Sequence, residues 1–238
     1  MKYLAGYAVA LCLLVLIVAQ SVFIPSFHME WYFRWHYEQH DVARNIGISE
    51  AELMYVTDEL LNYMRGRREN LIVYVTIDEE VRSFFSDRDI RHMADVRELY
   101  AVGFLIRNIV FWVLILIMLG VAFFKVSALE VIPRCCLEVL IVFLVLLVAL
   151  AGVIAWDWNR AFVIFHEMFF DNDYWILTSG VDPLIDMVGH PFFLYIAIIV
   201  GGLIFGFSGV VIAASAVYMY VTRPSGRVHT VIRFRQQS

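Results

Sequence analysis

Residues 187–222 read MVGHPFFLYIAIIVGGLIFGFSGVVIAASAVYMYVT, a run with no Asp, Glu, Lys or Arg. A run of about 18 or more uncharged apolar residues is long enough to cross a bilayer as a helix. Pro191 suits the first turn of such a helix. A helix from Pro191 to Tyr220 would be about 45 Å long at 1.5 Å per residue. It therefore tilts, protrudes, or bends at Gly201-Gly202, Gly206 or Gly209. Gly202-x-x-x-Gly206 suits close packing on a neighbouring helix of the same chain.

Three further runs have the same character: Tyr3–Ile24, Asn108–Phe124 and Val139–Trp156. The whole chain is 61% hydrophobic and 17% charged, against an apolar share of about 45–50% in soluble domains. The expected fold is an all-α membrane protein: four transmembrane helices carrying a small α+β extracytoplasmic cap. The expected division is helix 1 over residues 1–24, the cap over 25–103 and helix 2 over 104–124. A cytoplasmic turn over 125–138 follows, then helix 3 over 139–156, an outer loop over 157–190, helix 4 over 191–222 and a tail over 223–238. The first run is longer than the h-region of about 7–15 residues in a cleaved signal, so it reads as a retained helix. Four spans put both termini on one side. The termini and the 125–138 turn carry Lys2, Lys125, Arg134, Arg223, Arg227, Arg233 and Arg235, whereas the 157–190 loop has Arg160 as its one basic residue. The positive-inside rule then makes both termini cytoplasmic and places the cap and second loop outside. A net charge of −5 excludes nucleic acid as a natural partner. Cys12, Cys135 and Cys136 lack metal-type spacing and read as free thiols at or within the membrane.

Within residues 25–102, Pro25 marks the exit from the membrane, and Trp31–Tyr37 reads as an aromatic belt at headgroup level. Ser49 and Glu52 form a capping box. It opens a helix with Leu53, Val56, Leu60 and Met64 on one face and Gly66 at its stop. Leu71–Ile77 reads as a strand. Ser86-x-x-Asp89 starts a second helix, which carries His92 and Asp95 toward span two, with Gly103 as a bend.

Among the histidines, His28, His36 and His40 read as interface decoration, His190 as a helix-entry residue and His229 as part of the tail. His92 has Asp95 on the same helical face. His166 lies in Ile164–Trp175, which crowds Glu167, Asp171 and Asp173 among aromatics. His166-Glu167 starts like a zincin motif, but Phe170 fills the second histidine position. There is no G-x-S-x-G serine and no phosphate-cradling glycine loop. The available chemistry is imidazole, carboxylate, phenol and guanidinium.

Arg91-His92-Met93-Ala94-Asp95-Val96, Phe165-His166-x-x-Phe169-Phe170, Trp175 and Asp182-Pro183-Leu184-Ile185 together resemble the bacterial integral membrane family that includes the lipoprotein intramolecular transacylase, Lit. The likeness extends over nearly the whole chain. It implies an acyltransferase without metal or cofactor, with membrane lipids around it and a diacylated lipoprotein as substrate. One ester-linked acyl chain would move from the glycerol of a diacylglyceryl-cysteine onto its free α-amine, giving a lyso-form lipoprotein. His92 and His166 match the catalytic histidines. The expected roles are His92 as base and His166 as oxyanion stabiliser or proton donor, with the reverse order and an acyl-imidazole both open. Asp95 and Asp171 or Asp173 would orient the rings. Arg91, Arg107 or Tyr174 would supply oxyanion donors. The competing readings are a non-enzymatic accessory protein that binds a partner through its cap, and a metal-dependent hydrolase using both histidines and a carboxylate.

Overall fold

A computed structural model describes residues 2–77, 80–124 and 127–222. Lys125, the tail 223–238 with its four arginines, and His229 lie outside the described residues. Four helices are long and apolar enough to cross a membrane: α1 (Lys2–His28), α5 (Asp87–Phe123), α6 (Ile132–Trp156) and α9 (His190–Val221). α1 packs against α5, α6 and α9, and α6 packs against α9. Gly6 lies where α1 comes close to α6. A Cβ there would lie 2.8 Å from Cys135 Sγ on α6. Just along the same seam Glu138 accepts hydrogen bonds from Tyr7 Oη at 2.6 Å and Arg134 Nε at 2.8 Å.

The spans depart from the sequence-based division where polar and apolar segments share one helix. Pro25 is buried inside α1, which continues to His28. Gly103 does not interrupt α5, a single helix of 37 residues. At 1.5 Å per residue it is about 55 Å long, well beyond the roughly 30 Å hydrocarbon core. Its last charge is Arg107, fifteen residues beyond His92, so His92 lies in the charged part of the helix and not in its uncharged apolar run. The long helix α9 is likewise uninterrupted. Gly202 and Gly206 meet nothing within 4 Å, so the expected intramolecular seam at this pair is absent among the described residues.

The cap contains α2 (Glu30–Gln39), α3 (Val42–Ile46), α4 (Glu50–Met64), and strands β1 (Tyr74–Ile77) and β2 (Glu80–Ser83). The Ser49/Glu52 capping box opens α4, and Leu53, Val56, Leu60 and Met64 are buried. Gly66, at φ +73°, follows its last turn in the left-handed region. β1 is shorter than the expected strand and pairs with β2 antiparallel, Tyr74 opposite Ser83. The aromatic segment 31–37 is divided between surface and core. Trp31 and Trp35 are exposed, but Tyr32, Phe33, His36 and Tyr37 enter the cap core. Tyr32 Oη donates to the Phe192 carbonyl at 2.7 Å, which pins the first turn of α9 to α2.

Residues 157–190 are largely helical. Asp157 breaks the chain away from α6 with φ −146° and accepts from Arg160 N at 3.0 Å, capping α7 (Trp158–Phe169). A short α8 (Pro183–Met187) precedes α9. Gly189 forms the joint: a Cβ there would come 2.5 Å from the Ile185 carbonyl oxygen.

Candidate active site

His92 and His166 are both buried, and their ring centroids lie 5.9 Å apart. Two helix starts bring them together. The Ser86/Asp89 capping box fixes the first turn of α5, placing His92 in the second. The Asp157 cap starts α7, placing His166 near its end. The His166 ring is held between Phe162, at 4.2 Å, and Trp175, at 4.9 Å. Phe170 packs edge-on against His92 at 5.3 Å.

The tautomer of His166 follows from its partner. Nδ1 lies 2.7 Å from the Phe162 carbonyl oxygen. A carbonyl only accepts, so Nδ1–H donates, and the neutral ring carries its lone pair on Nε2. Burial lowers the His166 pKa, and the Phe162 hydrogen bond opposes that shift. His92 is pushed down to about 4, chiefly by burial and next by its proximity to His166, with Asp95 opposing. Both rings are therefore neutral at pH 7.

The pair stands at the edge of a cavity of about 300 Å³. Its lining is apolar apart from Ser26, His92, Tyr100, His166 and Trp175. Ser26 and Tyr100 are hydrogen-bonded to each other at 2.8 Å. The lining runs from the histidines past Phe27 and Phe192 to Val22 on α1 and Val200 on α9. Val200 lies about 15 Å along α9 from its first residue. The cavity is thus a greasy slot with two imidazoles at its polar end.

The other residues singled out in the sequence sit elsewhere. Asp95 accepts from Asn172 Nδ2 at 2.9 Å, while His92 Nδ1 has no partner among the described residues. Asp95 therefore ties α5 to the segment after α7 and does not orient His92 by a direct bond. Arg107 is fifteen residues beyond His92 on the same helix, about 22 Å away. Its guanidinium stacks on Phe23 and Phe104 and bonds Asn108, so it is no oxyanion donor. Asp171 and Asp173 are exposed, and the part of Asp173 that Arg88 bonds is its backbone carbonyl. The Tyr174 hydroxyl accepts from Arg91 at 2.9 Å, outside the cavity lining. Among the described residues no three His, Cys, Asp or Glu side chains converge as metal ligands. The sequence reading passed over Phe162, whose carbonyl sets the His166 tautomer. Gly189, whose lack of a side chain lets α8 turn tightly into α9, has a role set by a tertiary joint that no local pattern marks.

The family model of the lipoprotein intramolecular transacylase Lit matches residues 7–193. The chain belongs to this family. Its fold is also that of a solved Lit structure, the membrane integral lipoprotein intramolecular transacylase from Bacillus cereus. The two share 20% identity at a TM-score of 0.74, covering 93% of this chain and 95% of that one. Two variants of the Bacillus cereus Lit, in which a histidine is replaced by arginine or alanine, match at 18% identity with the same TM-score. The first covers 94% of each chain, and the second 94% of this chain and 96% of its own. No curated protein matches the chain by sequence. In this Lit family member the matched span contains both histidines and the first turn of α9.

Proposed function

We infer that this chain is a lipoprotein intramolecular transacylase whose reaction is carried by His92 and His166. Membership in the Lit family names the activity. The observation that carries the site assignment is the convergence of two buried imidazoles at the head of an apolar slot. The slot takes the migrating acyl chain, and its polar end takes the ester, the glycerol and the amine of the lipidated cysteine. The cap and the histidine pair face the extracytoplasmic side, where diacylated lipoproteins are displayed, with both termini in the cytoplasm.

The geometry favours His166 as the proton shuttle, the reverse of the first assignment. Its Nε2 is free to accept because Nδ1–H is spent on the Phe162 carbonyl. The amine nitrogen attacks the ester carbonyl carbon, and His166 takes the nitrogen's proton. As the tetrahedral intermediate collapses, the C–O bond to glycerol breaks, the amide C–N bond remains, and His166 returns the proton to the glycerol oxygen. A base of this kind is worth about 10²–10⁴ in rate. The free amine, with a reference pKa of about 7.7–8.0, must first lose its ammonium proton. The apolar slot disfavours the ammonium form. His92 accepts that proton, faces the developing oxyanion as imidazolium, and releases the proton to solvent after the intermediate collapses.

The purified protein in detergent micelles, given a synthetic diacylglyceryl-cysteine peptide, tests this reading. The product is an isomer of the substrate. The parent mass therefore stays constant while the fragment spectrum shows one acyl chain on the amine and one left on glycerol. A peptide with an acetylated amine should not react. An unchanged fragment spectrum with the free-amine substrate would sink the reading. Activity persisting in strong chelator counts against the metal-dependent alternative.

A further inference from the structure

Two buried polar atoms near the start of α5 have no hydrogen-bond partner among the described residues: Asp89 Oδ1 and His92 Nδ1. They belong to residues three apart on one helix, a spacing that makes their side chains neighbours. Asp89 is fully buried. Its other oxygen, Oδ2, accepts from Ser86 N at 3.1 Å and Leu184 N at 3.4 Å. The carboxylate is thereby held in place with Oδ1 left to another donor. Buried polar atoms are satisfied as a rule, and neighbouring groups without a direct bond are commonly bridged by ordered water.

We propose that Asp89 is the positioning carboxylate of His92, acting on Nδ1 through one bridging water. Asp95 makes no direct hydrogen bond to His92 and is tied by Asn172 through Oδ2, whereas Asp89 presents a buried oxygen with no partner among the described residues. The charged groups around Asp89 are otherwise engaged. On its own helix Asp87 is exposed, Arg88 bonds the carbonyls of Asp173 and Ile176, and Arg91 bonds Tyr174. From the α8 side, Asp182 accepts from Ser86 Oγ and Thr178 N, and Asp186 accepts from Ser179 and Gly180. From α7 the facing titratable group is His166. The His92 ring is therefore the group whose proton Asp89 holds. Its neutral form is the Nδ1–H tautomer with Nε2 toward the slot, the arrangement that the Phe162 carbonyl imposes on His166. When His92 takes the ammonium proton, the carboxylate stabilises the imidazolium. Asp89 touches no reacting atom.

The proposal rests on the transacylase reading, but its first test needs no substrate. Nitrogen-15 spectra of histidine-labelled protein in micelles, with His92 assigned from the spectrum of His92→Gln, report the tautomer. We expect neutral His92 as Nδ1–H in the wild type. In Asp89→Asn we expect that preference to be lost and kcat to fall by about 10²-fold, with KM little changed. A wild-type His92 in the Nε2–H form overturns the proposal. So does Asp89→Asn with an unchanged tautomer, because any loss of rate would then act through the α5–α8 joint. A changed tautomer at unchanged kcat overturns it as well. Should Asp89→Asn fail to fold, the wild-type tautomer decides. Failure of the wild type to transfer an acyl chain would instead contradict the function and leave the tautomer result standing.

Discussion

At His166 the local sequence and the packing make different contributions. Phe162 supplies the carbonyl from one turn earlier, and Trp175 covers the other face of the ring. Replacing Trp175 with Ala frees the ring to leave its productive orientation. We expect kcat to fall by about 10²-fold, read from initial rates on the synthetic lipopeptide, with the fold intact by thermal melting. Arg107→Gln should leave the rate unchanged, because that side chain sits far along α5. Asp89 makes a separate prediction. Burial raises its pKa to about 6 from 3.8, against the opposing Ser86 and Leu184 hydrogen bonds. Between those values the folded protein binds a proton that the unfolded chain has released, so wild-type stability falls as pH rises through the interval. The Asp89→Asn variant lacks this loss. Its stability relative to wild type should rise by up to about 3 kcal/mol between pH 4 and pH 7, measured by thermal melting. A constant difference would contradict the buried-carboxylate account. His92 and His166 were legible as candidates because each follows a recognisable pattern. Their partners were not. Asp95 looked suitable by spacing, yet spacing along one helix does not reveal that Asn172, from another segment, takes the carboxylate.

At the scale of elements, the site depends on joints. Gly189 lets α8 turn into α9 against the Ile185 carbonyl, and Gly6 lets α1 approach α6. Gly6→Val should cost about 1–3 kcal/mol by overpacking against Cys135, seen as a lower melting temperature. Tyr32→Phe removes the bond to the Phe192 carbonyl and should cost about 1 kcal/mol. Both capping boxes were legible, because Ser-x-x-Glu and Ser-x-x-Asp are local signals that the backbone obeys. The ends of the membrane helices were less so. Hydropathy finds where charges stop, but α5 continues as helix through the charged stretch before Arg107, and helical hydrogen bonding does not require an apolar face. The helix α7 is masked in the sequence by the acids and aromatics of residues 157–190, and its start at the Asp157 cap carries no Ser or Thr capping box. Likewise Tyr32, Phe33 and His36 looked like interface residues, since aromatics serve equally well in a cap core and at a headgroup.

The whole molecule couples a four-helix membrane bundle to a cap with its own core, and the reaction slot lies where the two meet. The bundle was plain in the sequence because uncharged windows of this length have few other uses. The slot was not, because it is assembled from α1, α2, α4, α5, α7, α8 and α9, whose mutual placement no local pattern encodes. Both histidines are neutral at pH 7 in this setting, so His92 is ready to take the proton that the substrate ammonium brings. We expect kcat/KM to fall on the acid side as the imidazoles protonate, and to fall again above about 8 as the amine arrives without the proton that His92 takes. The most direct measurement of the central claim uses a bacterial host that lacks its own N-acylation step. The host expresses a model lipoprotein with this chain, and mass spectrometry reads the N-terminal lipopeptide. The account predicts an amine-linked acyl chain with one chain left on glycerol for the wild type, and a diacylglyceryl cysteine with a free amine for His92→Ala and His166→Ala. A free amine under the wild type, or an acylated amine under both variants, would contradict it.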